Sequence, residues 1–68
     1  MKRLNLYYER RDNGFTQADV ARFLKISHSY YSMVESGKRT PSFLVVKKLE
    51  ELFECAHTYL FSFKEVDN

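Results

Sequence analysis

A chain of 68 residues supports one small domain around a single core, which leaves no room for a separate substrate-binding lobe and argues against an elaborate enzyme. Apolar residues at 44% and aromatic residues at 16% are globular values, and two glycines with one proline exclude a long flexible linker or a low-complexity tract. The net charge of +2 is unevenly placed: residues 1–48 hold ten Lys/Arg against four Asp/Glu and residues 49–68 one against five, the asymmetry of a nucleic-acid binder with a separate second surface.

In chain order, Arg3 to Arg11 is predicted as a first helix, with Leu4 and Tyr8 on one face at spacing i, i+4 and Tyr7 beside them. Asp12-Asn13-Gly14 stops it, because Gly14 takes the left-handed conformation freely and Asn13 tolerates it. Thr16 then caps a second helix over about Gln17 to Leu24. Asp19 supplies a short variant of the capping box, and Phe15 with Val20 fits a hydrophobic staple. Val20, Ala21, Phe23 and Leu24 make its apolar stripe, and the small Ala21 lets another helix come close.

Lys25-Ile26 makes the next turn, and Ser27 caps a third helix whose staple pairs Ile26 with Tyr31. This helix buries Tyr31 and Val34 at spacing i, i+3, covers Tyr30 in part, and ends at Gly37 in the left-handed cap position. Pro41 and Ser42 open a fourth helix carrying Phe43, Val46, Leu49, Leu52 and Phe53 on one face, with Glu50 and Glu51 outward. A short fifth helix over about Ala56 to Phe61 completes a compact all-α bundle of five helices. Residues 1–63 form one domain and 64–68 a polar tail.

The chain resembles the lambda-repressor and Cro family of helix-turn-helix DNA-binding domains over roughly Leu4 to Phe61. The motifs that carry the resemblance are Thr16-Gln17, Ala21 in mid-helix, Ile26-Ser27, Glu35-Ser36-Gly37-Lys38 and Pro41-Ser42, in that order and at the family's spacing. The resemblance implies a helix-turn-helix over about residues 16–36, with the third helix presenting its N-terminal residues to base edges in the major groove. The outward face left once Tyr31 and Val34 are buried is Ser27, His28, Ser29, Ser32 and Met33, the expected base contacts. His28 and the serines can donate or accept there, and Met33 offers apolar surface to a thymine methyl. The face lacks the Arg, Asn or Gln that make the best bidentate base contacts, so modest discrimination is expected, with DNA deformation or bridging water as further sources.

Gln17, at a helix start that favours anions, resembles the family's phosphate-gripping glutamine. Lys38 and Arg39 are the expected charged phosphate contacts and Ser36 a neutral one, whereas Lys2, Arg3, Arg22 and Lys25 are secondary phosphate candidates expected mainly in solvent. The family's buried Arg–Glu pair between helices one and three falls on Arg10 with Glu35, with Arg11 as the competing arginine. Lys25 stands where the family often has glycine, and a positive φ there would cost on the order of 1 kcal/mol.

No cofactor, metal or small-molecule ligand is expected. Glu54, Cys55 and His57 lack the second ligand pair of a tetrahedral site, and Cys55 with His57 lacks the third group and oxyanion site of a nucleophile. Cys55, with no disulfide partner in the chain, is expected to fill the core between helices four and five, and His57 to face solvent. Tyr59, Phe61 and Phe63 exceed what one small core needs and are the candidate homodimer interface. The expected function is a small dimeric repressor, not an enzyme, that occupies a pseudo-palindromic operator in double-stranded DNA. The competing function is a protein-interaction module on the same fold. With no run long enough to span a membrane and no apolar secretion signal in Met1-Lys2-Arg3-Leu4-Asn5, the expected location is the cytoplasm.

Overall fold

The structure, a computed structural model, describes residues 2–62. Among these it contains five helices and no strand: α1 (Leu4–Asp12), α2 (Gln17–Leu24), α3 (His28–Glu35), α4 (Phe43–Phe53) and α5 (His57–Leu60). Local chemistry accounts for where each begins. The Thr16 hydroxyl accepts from the Asp19 N–H while the Asp19 carboxylate accepts from the Thr16 N–H, a complete capping box at α2. Ser27 caps α3 by accepting from the Tyr30 N–H, and Ser42 caps α4 by accepting from the Val45 N–H.

The helix ends follow backbone conformation. Gly14 and Gly37 sit at φ 78° and 84°, as their places after α1 and α3 require. Lys25 takes the same left-handed conformation at φ 61°, and Glu54 does so after α4 at φ 54°, a second strained cap that its sequence context does not announce.

The core is formed by Leu6, Val20, Ala21, Leu24, Tyr31, Val34, Val45, Leu49, Phe53 and Leu60. Three apolar faces differ from the sequence expectation. In α1 the inward stripe is Leu6 and Arg10, not Leu4 and Tyr8, and Tyr8 is 52% exposed. The two stripes lie two residues apart, roughly 200° around the helix, and Arg10 must face inward to reach its partner on α3. Tyr7 instead lies among cations: Lys2 Nζ is 4.2 Å from its ring centroid, and Arg11 donates to its hydroxyl at 2.7 Å.

In α2 Phe23 is 62% exposed, just off the Val20–Leu24 edge that packs inward. In α4 the buried series is Val45, Leu49 and Phe53, at spacing i, i+4, while Phe43 is 78% exposed. Leu49 and Phe53 are buried as expected and Leu52 packs against the core, so the departure lies in the first turn, where Val45 faces inward in place of Phe43. Glu50 also departs from an outward position: it is half-buried and accepts from the His57 N–H at 2.7 Å, joining α4 to the start of α5. Cys55 packs in part against the core, and His57 is exposed.

Candidate nucleic-acid interface

The short turn at Lys25-Ile26 sets α3 across α2, and Ala21 on α2 is 2% exposed beneath it. From behind, α3 is held by a buried ion pair. Arg10 Nε donates to Glu35 Oε2 at 2.7 Å and Arg10 Nη2 to Glu35 Oε1 at 3.1 Å, with the two side chains 10% and 1% exposed. A third bond, from Arg10 Nη1 to the Phe15 carbonyl at 2.8 Å, fixes the α1–α2 loop to the same guanidinium. Arg11 takes no part; its guanidinium is the one bonded to Tyr7.

Two further donors complete the surroundings of Glu35, namely the Tyr31 hydroxyl at 2.9 Å and the Gln17 amide nitrogen at 2.9 Å. Burial alone would raise the Glu35 carboxyl above its ordinary value. The hydrogen bonds from Arg10, Gln17 and Tyr31 outweigh it and hold the group below that value. Burial and the neighbouring carboxylate both push the Tyr31 phenol upward, so it stays a donor. Neither Tyr31 nor Gln17 announces itself as a Glu35 partner in the sequence, although Tyr31 stands at i−4 to Glu35 on the same helix face.

With Tyr31, Val34 and Glu35 buried, α3 turns its other side outward: Ser27, His28 and Ser29 are exposed, and Ser32 and Met33 are half-buried. All five are thus at least partly open to solvent, Ser27 at the cap and the other four within the first six positions of α3. Two of the small hydroxyls already have duties. Ser27 Oγ accepts the capping bond and keeps its proton and one lone pair, and the Ser36 hydroxyl donates to the Met33 carbonyl at 3.2 Å. Ser36 would have to rotate that proton away to hold a phosphate.

The same Met33 carbonyl accepts from the backbone N–H groups of Lys38 and Arg39 at 2.9 and 3.2 Å, which anchors the basic segment to the end of α3. Both side chains are exposed, and the Arg39 guanidinium lies 5.9 Å from the Tyr30 ring centroid. Gln17 sits at the start of α2, half-buried, with its amide oxygen 3.2 Å from His28 Nε2.

Arg3 departs from its expected place in solvent. It is 5% exposed, donates to the Val34 carbonyl and, at 3.3 Å, to the Arg39 carbonyl, and lies 5.5 Å from the Phe61 ring centroid. Because both acceptors are main-chain groups, no residue type in the sequence marks the contact. Arg22 is exposed, paired with Asp19 at 2.9 Å. In the C-terminal part of the chain Tyr59 is 44% exposed, Phe61 packs in part against the core, and Phe63 lies outside the described residues.

Residues 6–60 are matched by the family described as Helix-turn-helix. The chain belongs to the lambda-repressor/Cro-type helix-turn-helix family. An uncharacterized HTH-type transcriptional regulator, YqaF of Bacillus subtilis (strain 168), is 45% identical over 51 residues, covering 75% of this chain and 67% of that protein.

Among solved structures, the restriction-modification controller protein C.AhdI from Aeromonas hydrophila superposes with a TM-score of 0.72 at 28% identity, covering 84% of this chain and 86% of that one. The N-terminal DNA-binding domain of SinR from Bacillus subtilis shares the fold, with a TM-score of 0.75 at 21% identity over 91% of each chain. YqaF carries the name of a transcriptional regulator, and family membership makes this chain a DNA-binding transcriptional regulator. Among the described residues no helix is long and apolar enough to cross a membrane.

Proposed function

We propose that this chain is a small homodimeric repressor that occupies a pseudo-palindromic operator in double-stranded DNA, with α3 in the major groove. The observation that carries the reading is the two-sided character of α3. One side is locked into the core by Tyr31, Val34 and the Arg10–Glu35 pair, and the other offers only small or slender groups, which let the helix approach base edges closely. In this reading Ser27, His28, Ser29, Ser32 and Met33 contact bases. Lys38 and Arg39 hold phosphates on one flank, and Gln17 holds one at the start of α2.

Two recognition helices must reach successive major grooves about 34 Å apart, which calls for a symmetric pair of subunits. The exposed Tyr59 ring, with part of Phe61, is the surface assigned to that contact. The controller function of C.AhdI, at 28% identity, points to the same class of activity.

Selection from a random duplex pool at near-physiological salt, repeated with Ser29→Ala, tests the reading. The expected result is an enriched pseudo-palindrome with half-sites about one helical turn apart, and an altered preference in the variant. Absence of enrichment overturns it and points to a protein partner instead.

A further inference from the structure

The hydrogen bonds around Glu35 fix more than the position of α3. An ionised carboxylate accepts and never donates, and it offers about four lone-pair sites. Glu35 fills them with Arg10 Nε and the Tyr31 hydroxyl on Oε2, and with Arg10 Nη2 and the Gln17 amide nitrogen on Oε1. The Gln17 amide therefore has one permitted orientation, with its nitrogen toward Glu35 and its oxygen away. That oxygen lies 3.2 Å from His28 Nε2. An amide oxygen only accepts, so Nε2 must carry the proton, and in the neutral ring Nδ1 is left as the acceptor. Nδ1 has no partner among the described residues.

We infer that the relay from Arg10 through Glu35 and Gln17 holds neutral His28 as its Nε2–H tautomer, making it a hydrogen-bond acceptor toward the base it reads. The inference rests on the DNA-binding reading above and deepens it. The major groove shows donors only at the exocyclic amino groups of adenine and cytosine, so His28 selects one of those two bases against guanine and thymine. Gln17 acts here as a positioning residue, a role additional to any phosphate contact made by its second amide proton.

The chain carries its own control. His57 Nδ1 lies 2.9 Å from Glu50 Oε2, a carboxylate that also accepts from the His57 backbone N–H. The same argument gives His57 the opposite tautomer, Nδ1–H. Two-bond ¹H–¹⁵N correlation spectra of the free protein, taken with both rings neutral, should show His28 and His57 in opposite tautomers, with His57→Gln used to assign them. Protonation of His28 at Nδ1 overturns the inference without reference to DNA.

On DNA, selection with His28→Ala first identifies the base pair at which preference is lost. Removing the exocyclic amino group from the selected base there should weaken wild-type binding about three- to tenfold, the range of one neutral hydrogen bond. Replacing N7 of the purine at that pair with carbon should change little. Gln17→Ala, which leaves Glu35 its Arg10 bridge and Tyr31 bond, should lower discrimination at that same base pair about threefold, and should not do so when His28 is already alanine. Weakening of all sequences alike by Gln17→Ala, or loss of binding on removing N7, overturns the relay while leaving the regulator reading intact. A wild-type chain with no sequence preference overturns the regulator reading and the base-reading half of this one, and the spectrum still decides the tautomer.

Discussion

Replacing Arg10 by methionine keeps the length of the stem and removes the guanidinium, so the cost can be worked from the bonds it makes. Two of the four donors to Glu35 disappear, together with the bond to the Phe15 carbonyl, in a place where the Glu35 side chain is 1% exposed. Water cannot replace them. Truncating one partner of a buried pair costs about 3–5 kcal/mol, a large share of the stability expected for a domain of this size. The sign of the pH dependence separates this mechanism from simple loss of packing. In the parent, Glu35 is held below its ordinary value, so its contribution is present above the unfolded carboxylate range and is lost as pH falls through its folded value. Without Arg10, burial dominates and the folded value rises above the unfolded one. The carboxyl then favours folding only when protonated, and that contribution is lost as pH rises. The deficit of Arg10→Met relative to the parent should therefore shrink as pH falls through the carboxylate range, measured by urea unfolding followed by circular dichroism from neutral to acid pH. Taking the difference cancels the other acid-sensitive groups, Asp19 and Glu50, whose carboxyls are also held low. A deficit below about 1 kcal/mol, or one constant with pH, would refute the reasoning.

Three further outcomes follow. If two to three basic side chains per subunit meet phosphates, a dimer on DNA should show a log–log salt slope of about −4 to −5 by fluorescence anisotropy, and a flat response would sink the phosphate assignment. Lys38→Ala should weaken all sequences alike and flatten that slope by about one unit per subunit, whereas Met33→Ala should relax sequence preference with the slope unchanged; interchanged effects would reverse the assigned roles. Lys25→Gly, at φ 61°, should raise stability by about 1 kcal/mol in thermal or urea unfolding, because glycine removes the left-handed penalty, and destabilisation would show that the lysine stem packs usefully.

The capped helix starts were legible because each rests on a local bond. Thr16 with Asp19, Ser27 and Ser42 need only their own first turns, and the sequence shows those turns whole. The inward face of α1 and the first turn of α4 were not, because a face is chosen by what lies across from it. In α1 a buried arginine outranks two tyrosines once Glu35 stands opposite, and apolar spacing cannot register that exchange. Arg3 was hidden for a related reason, its partners being carbonyls that any residue would present. The outward side of α3 was legible by subtraction from Tyr31 and Val34. The link from Gln17 to both Glu35 and His28 needed coordinates, since it joins three residues on two helices.

The buried pair also raises the question of why α3 is anchored by charge at all, since well-packed apolar residues in place of a buried ion pair are often neutral or stabilising by about 1–4 kcal/mol. The double variant Arg10→Met with Glu35→Leu separates anchoring from orientation. It removes the buried charge together with its unmet acceptor sites, so its stability should return to within about 1–2 kcal/mol of the parent, well above Arg10→Met alone. The Tyr31 hydroxyl loses its acceptor, which limits the recovery. Gln17, however, loses the one acceptor that fixes its amide, and can then turn either its nitrogen or its oxygen toward His28. The double variant should therefore bind DNA with near-parental overall affinity and reduced sequence preference, read by the same anisotropy assay on selected and scrambled duplexes. Full retention of preference would make the pair a device for stability alone. Loss of preference in a well-folded protein would mean that the charge inside the domain is kept for what it does at the surface.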